Sequence, residues 1–490
     1  MHTHEAHAHC CGHAHAEGVD PCHCGAPYTL EAFRRISADL DRRQMLGGMA
    51  AVVGMFAGFG LAEKPAWAAG PGQAVRLTNL SYFDGVTLSI QRGRDIVVQG
   101  GRITALIAPG EAFEGAVVRD CGGRTVIPGL IDCHWHSTLV AVSMIAALTQ
   151  DIGFVHLMAG REAGATLRRG FTTVRDVGGP AFGLKMAIDR GALPGPRIFP
   201  SGAMVSQTSG HGDFRLLSEL PRMPGTPANQ IEQQGVALIA DGADAVLRAV
   251  REQLMKGASQ IKIMAGGGVS SLYDPLDTTQ YTEREMRAAV EAAEDWGTYV
   301  CAHVYTPGGI RRAVKAGVKS IEHGQLADEE TVRVMAGEGV WWSIQPFLAD
   351  EDANPKDDPV QQAKQEEVAE GTVRAFELAR KHRVPMAFGT DILFNPAGTG
   401  SQGRQLAKFA RFMTPLQALH TATGAAGQLL ALSGERAPYL APLGVIRPGA
   451  AADLLVVNGD PSASLDFLDD PEANLPMIMK GGAAIKDQLG

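Results

Sequence analysis

Between residues 128 and 441, short apolar runs alternate with longer stretches whose apolar positions recur every three to four residues. The short runs are TVIPGLIDCHWH, FTTVRDV, RIFPSGAMV, QIKIMAG, YVCAHVY, SIEHG, WWSIQPF and PMAFGTD, eight in all, and each reads as a strand. The longer stretches, among them AGREAGATLRRG, DAVLRAVREQLMKG, TEREMRAAVEAAEDWG and EEVAEGTVRAFELARKHR, read as amphipathic helices. Eight strand-then-helix units predict an α/β fold with a closed parallel (β/α)8 TIM-like barrel, not a doubly wound sheet. Residues 75–127 have a different rhythm: short strands punctuated by glycine, with Gln99-Gly100-Gly101-Arg102 as a tight hairpin turn. Gly444 to Lys486 repeats that character, so the two ends of the chain are expected to form one small β-sandwich domain. The division predicted is a leader over 1–68, the small domain over 69–127 and 442–490, and the barrel over 128–441.

Composition adds little to this picture. With 490 residues, 45% of them hydrophobic and 20% charged, the chain has ample material for a large core. A net charge of −9, from 44 basic and 53 acidic residues, offers no basic face, so nucleic acid is not expected as a partner. The leader is more telling. A His-rich tract and Cys22-His23-Cys24 hold four of the seven cysteines, a pattern open to metal binding or to a compositional quirk. Cys121, Cys133 and Cys301 are scattered and read as buried thiols. Arg42-Arg43 precedes a mild Gly/Ala-rich apolar run from Met45 to Ala62, and Ala66-Trp67-Ala68 follows as a small-x-small cleavage site. This is the pattern of a Tat export signal, although Asp41 and Met45 depart from the usual motif. It predicts export to the periplasm through the Tat machinery; a membrane anchor is the rival reading.

The candidate chemistry lies at the strand ends. The first strand ends Asp132-Cys133-His134-Trp135-His136, and two histidines one residue apart face the same side of a strand, where they can chelate one metal. Lys262 lies on the fourth strand, His303 on the fifth, His323 on the sixth, and Gly389-Thr390-Asp391 ends the eighth. A lone histidine at a strand end is ordinarily a core residue; this combination at the end where barrels build active sites is not ordinary.

The string PGLIDCHWH, the strand-four lysine, the histidines of strands five and six and the strand-eight aspartate together resemble the binuclear-metal branch of the amidohydrolase superfamily, as does RPGAAADLLVVNGDP in the small domain. IKIMAGGGVSS, TSGHGD, AHVYTPGGI and IEHG are similar to the Xaa-Pro dipeptidase, or imidodipeptidase-like, members, whose relatives include ochratoxin-hydrolysing amidohydrolases. The resemblance spans about residues 75–486. It implies two divalent metal ions, with zinc the first expectation. His134, His136 and Asp391 would hold one, His303 and His323 the other, and Lys262 would bridge them as a carbamate derived from CO2. A bare ammonium repels a cation, whereas a buried lysine with a lowered pKa can react as the neutral amine. A water shared by two cations loses its proton near neutral pH, and Asp391 can carry that proton to a leaving amine. The implied reaction is hydrolysis of an amide or peptide bond next to a C-terminal residue, in an Xaa-Pro dipeptide, an N-acyl amino acid or an ochratoxin-like amide. A homo-oligomer is implied by resemblance alone. The alternatives are a cyclic-amide or lactone hydrolase of the imidazolonepropionase kind, which uses one metal and lacks the bridging lysine, and a barrel that has lost its metals; the filled ligand positions argue against both.

Further residues are less decisive. His211, in Gln207-Thr208-Ser209-Gly210-His211-Gly212-Asp213, is expected on a loop at the barrel mouth, binding substrate or stabilising an oxyanion, or else simply capping the loop. Tyr305 shares a side with His303 and would either bind a substrate carboxylate or pack at the rim. Gly266-Gly267-Gly268 lacks the rest of a P-loop and reads as a tight turn. His420 reads as helix packing, His382 as solvated, and Asp176 as a carboxylate that orients its neighbours. The acidic stretch from Ala349 to Glu370 is either a lid or a solvated loop and helix.

Overall fold

The computed structural model describes residues 73–489 except Pro224, Leu272, Pro355 and Asp357; the His/Cys-rich tract, the twin-arginine signal and its cleavage site lie outside the described residues. In Val75–Thr78 the first and third residues are buried and the second and fourth are not, which makes a strand with one apolar face. Two sheets of such strands cover each other. One has the order Arg102–Ile107, Asp95–Gln99, Val75–Thr78, Val117–Asp120. The other runs Ala483–Asp487, Met477–Lys480, Leu454–Val457, Thr125–Pro128, Ser81–Phe83, Ile90–Gln91. Leu77, Ile96, Val98 and Ile103 of the first meet Val126, Leu454, Val456 and Met477 of the second in a shared core. Leu454–Val457 pairs antiparallel with Thr125–Pro128, so the sandwich is closed by strands from both ends of the chain. Gly100 and Gly101, with φ of 59° and 77°, make the turn between Asp95–Gln99 and Arg102–Ile107.

Thr125–Pro128 leads through Gly129 into the first barrel strand, β1 (Leu130–Trp135). It is followed by β2 (Phe171–Asp176), β3 (Arg197–Pro200 and Met204–Ser206), β4 (Ile261–Met264), β5 (Val300–Val304), β6 (Ser320–His323), β7 (Trp341–Ile344) and β8 (Met386–Phe388). Each pairs parallel with the next. The continuous strand expected over RIFPSGAMV is broken in two. Its first half pairs with β2 and its second with β4. The break falls at Gly202, whose φ is 74° and whose Cβ, if present, would lie 2.4 Å from Gln253 Oε1. The ring closes between β8 and β1, where the Asp391 amide donates to the His134 carbonyl at 2.9 Å. Outward-facing Ile261, Ile263, Ala302, Val304 and Ile321 share one core with Val250 and Leu254 of the helix Ala243–Met255, Met286 and Ala289 of Glu283–Glu294, and Ile310 and Ala313 of Pro307–Ala316. Each large aliphatic side chain buried in this way stabilises the barrel by about 1.5–3 kcal/mol. The caps are local: Thr282 Oγ1 accepts from the Glu285 amide while the Glu285 carboxylate accepts from the Thr282 amide.

Candidate active site

The alternation that turns Ile261 and Ile263 outward leaves Lys262 and Met264 facing in, and that of Ala302 and Val304 leaves His303 and Tyr305 facing in. All four line one cavity at the carboxyl ends of the strands. β6 departs from this pattern. Ser320 and Glu322 face Arg175 inside the barrel, so plain alternation would send His323 outward; its φ of 72° brings it back into the cavity. Asp391 is also left-handed, with φ of 53°. Such conformations cost about 1–3 kcal/mol each and persist where the surroundings over-determine them. The His323 carbonyl accepts from Trp342 Nε1 at 2.5 Å, and Asp391 is held by its amide bond to β1.

His134 Nε2 and His136 Nε2 each lie 3.2 Å from Asp391 Oδ1, and the ligating atoms of the three residues fall within 4.8 Å of one another. The remaining nitrogen of each ring is engaged: His134 Nδ1 with Glu322 Oε2 at 2.8 Å, His136 Nδ1 with the Gly178 carbonyl at 2.9 Å. The His323 ring sits 4.7 Å from that of His134 and 4.5 Å from that of His303. Gln345 Oε1 holds His323 Nδ1 at 2.8 Å, leaving Nε2 open. His303 is arranged the other way round: Nε2 donates to the Gly267 carbonyl at 3.1 Å, leaving Nδ1 open. Burial, with His211 and His323 close by, holds His303 well below the ordinary imidazole range, and burial with His134 close by does the same for His323. Both rings are therefore neutral, with a lone pair to give. Lys262 is buried among these groups, and burial lowers its ammonium pKa against the opposing pull of Glu322. For Asp391, burial pushes upward, but the neighbouring histidines, His134 first, keep it well below the carboxylate range, so it is an anion.

Beneath the cavity lies a buried polar scaffold. The Arg175 guanidinium reaches both Glu322 oxygens at 2.7 Å, the Cys133 carbonyl at 2.6 Å and Tyr299 Oη at 3.2 Å. Burial raises the Glu322 pKa, yet Arg175 and His134 hold it well below its ordinary value. Asp132 accepts from Thr390 Oγ1, Gln402 Nε2 and the His134 amide, which locks the end of β8 onto β1. Asp176 accepts from the Ser137 amide at 2.7 Å, and burial pushes its pKa up to about 6, so it orients the turn after His136 as expected.

His211 lies on the cavity wall, its ring stacked on His303 at 4.1 Å. Ser271 Oγ at 2.9 Å and Asp274 at 3.4 Å engage its Nδ1. The glycine triplet is a close-approach turn: a Cβ on Gly267 would lie 1.9 Å from the Pro275 carbonyl oxygen, and one on Gly268 would lie 2.0 Å from His211 Cε1. Tyr305 is buried and stacks on His323 at 4.9 Å. His382 is not solvated: its Nε2 lies 3.1 Å from Glu329 Oε1, because the long helix Pro359–His382 ends beside the start of Glu329–Gly337. His420 does more than pack, since its Nδ1 bonds the Gly85 carbonyl at 2.8 Å and so ties the barrel to the small domain. The acidic stretch after β7 is tied down, with Asp350 and Asp352 on Lys408 at 2.5 and 2.9 Å and Arg404 on Asp352 at 2.7 Å.

The structure thus brings His134, His136, Lys262, His303, His323, Asp391, His211 and Tyr305 to one cavity. Sequence reasoning missed Arg175, Glu322, Gln345 and Asp132. A signal was present in two of them: a charge inside FTTVRDV and another inside SIEHG each interrupt a strand that must be buried, and such a charge needs a partner.

A sequence profile of the amidohydrolase family matches residues 125–484. Ochratoxinase of Aspergillus niger is 33% identical over 373 residues, covering 74% of this chain and 75% of that enzyme. A prolidase crystallised with N-methylphosphonate-L-proline superposes with a TM-score of 0.77 at 34% identity, covering 85% of this chain and 100% of the other. A Xaa-Pro dipeptidase with bound methionine superposes with a TM-score of 0.72 at 29% identity, covering 84% and 100%. The chain belongs to the amidohydrolase family. It is accordingly a hydrolase that acts on a small-molecule substrate, of a family that is typically metal-dependent.

Proposed function

We propose that this hydrolase uses two divalent metal ions to cleave the amide or peptide bond next to a C-terminal residue, in Xaa-Pro dipeptides, N-acyl amino acids or ochratoxin-like amides. The observation that carries the reading is the orientation of the donors. Each of the four imidazoles has one nitrogen engaged by a protein oxygen that fixes the ring; the other is turned onto Asp391 in His134 and His136 and is left open in His303 and His323. Acceptors of this kind fix metal-ligating histidines. His134, His136 and Asp391 would hold one ion and His303 and His323 the other, with Lys262 between them. This nitrogen and oxygen donor set suits zinc. When bound, the ions lower the pKa of a water and polarise the scissile carbonyl.

The chain supplies the rest. A neutral Lys262 amine would add to CO2, forming an N–C bond and releasing a proton, and the carbamate would turn a repelling ammonium into an anion fit to hold cations. Asp391 takes a proton from the attacking water and returns it to the leaving nitrogen. His211, backed by Ser271 and Asp274, presents its Nε2 edge to the carbonyl oxygen as negative charge develops there. Tyr305, beside His303, orients the substrate. The names of the relatives, a prolidase, a Xaa-Pro dipeptidase and an ochratoxinase, favour this substrate class. Export through the Tat route and assembly as a homo-oligomer belong to the same proposal.

The test is metal content together with a lysine variant. The metal-loaded protein is expected to hold about two ions per chain, and Lys262→Ala to lose activity by about 100-fold or more, with partial return on adding propionate. One ion per chain, or full activity in Lys262→Ala without added acid, would refute the bridging role.

A further inference from the structure

We infer that Lys356 is the receptor for the substrate's free carboxylate, which restricts the enzyme to substrates that end at the residue beyond the scissile bond. The inference rests on the hydrolytic reading above and adds to it the feature that selects the substrate.

The described residues of the segment after β7 form a strap along the cavity, which they line through Phe347, Leu348, Asp350, Asn354 and Lys356. On the β8 side it is held by Asp350 and Asp352 on Lys408, and by Asn354 Nδ2, which donates to the Leu393 carbonyl at 3.3 Å. On the β4 side Gln361 Nε2 donates to the Ser270 carbonyl at 3.0 Å, and Lys364 Nζ to the Asp274 carbonyl at 2.8 Å. Lys356 sits between these anchorages and lines the cavity.

Three lysines line that cavity: Lys262, Lys356 and Lys408. Lys408 is neutralised by two carboxylates, and Lys262 is buried among the histidines. Lys356 is half-buried, and among the described residues its Nζ has one hydrogen-bond partner, the uncharged Ser270 Oγ at 3.1 Å. The neighbouring walls are apolar, with Phe214, Val269, Phe347, Leu393 and Phe394. A cation that has given up water to apolar neighbours and gained one hydroxyl is best satisfied by an incoming anion. Asp391 lines the same cavity and lies near enough for its charge to act on Lys356, so a substrate whose amide lies at Asp391 can present its carboxylate to Lys356.

The experiment uses the metal-loaded full chain with N-benzoyl-L-phenylalanine and glycyl-L-proline, each as the free acid and as the carboxamide. The wild type is expected to favour the acids by about 10- to 100-fold in kcat/KM, the scale of one charge-assisted bond. Lys356→Met should erase that preference by raising KM for the acids while leaving the carboxamides unchanged, and Lys356→Arg should keep it. Equal losses on acid and carboxamide would mean that Lys356 only fastens the strap, and unchanged acid kinetics would mean that the carboxylate binds elsewhere; either result overturns the inference. If the wild type cleaves none of the four, the hydrolytic reading fails on its own. Calorimetry with L-phenylalanine and L-phenylalaninamide then decides Lys356: tighter binding of the acid, lost in Lys356→Met, supports it, and equal binding overturns it.

Discussion

Arg175 and Glu322 form an ion pair with both side chains fully buried, and breaking it separates two quantities that ordinary mutations confound. Arg175→Met removes both 2.7 Å bonds and, among the described residues, leaves the Glu322 carboxylate hydrogen-bonded to Ser320 Oγ at 2.6 Å and His134 Nδ1 at 2.8 Å. An uncompensated buried charge costs about 3–5 kcal/mol, a large share of a typical total stability of about 5–15 kcal/mol. Adding Glu322→Leu removes the stranded charge at similar volume, so the double variant should recover to within about 1–2 kcal/mol of the wild type. Metal binding should not recover. His134 Nδ1 has lost the acceptor that fixes its ring, and loss of such a partner weakens metal affinity by about 10- to 100-fold. Urea unfolding of the metal-free proteins measures the first effect, and zinc competition against a chelating dye the second. A double variant as unstable as Arg175→Met alone, or one that binds zinc as tightly as the wild type, would refute the reasoning.

Two further outcomes follow from the same structure. Burial lowers Lys480 from near 10.5 to about 8, with Arg197 close by adding to the shift, so the unfolded chain binds more protons than the folded one between those values. Stability contributed at this site therefore rises as pH climbs from about 8 to 10.5, by up to about 3 kcal/mol, and the wild type minus Lys480→Met difference in urea midpoint should rise across that window; a flat difference would count against it. Gly268→Ala places a Cβ 2.0 Å from His211 Cε1, which must push the ring off its stack on His303. Activity should fall by about 100-fold with thermal unfolding little changed, and activity within twofold of the wild type would dismiss a role for that stack.

How much of this was legible in the chain itself depends on the range of the interaction. Strand and helix periods are local, so the alternation of eight apolar runs with amphipathic stretches was enough to anticipate a (β/α)8 barrel, and the positions of His134, His136, Lys262, His303 and Tyr305 within their runs placed them on the inner face. The glycine-punctuated strands at the two ends announced the sandwich for the same reason. What could not be read depends on residues that meet only after the ring has closed. Arg175 and Glu322 stand 147 positions apart, and neither reveals its partner. His323 would face outward by alternation and is turned in by a backbone angle that its sequence does not announce. Gly202 breaks β3 with a left-handed φ at a point where Gln253 and Phe182 leave no room for a Cβ. The strap that brings Lys356 to the cavity wall is held by Lys408, Leu393 and Ser270, from three separate stretches of chain. Periodicity along the chain determined which side chains belong to the barrel's interior; the closing of the barrel determined their partners, because burial makes a charge costly until a partner from elsewhere in the fold reaches it.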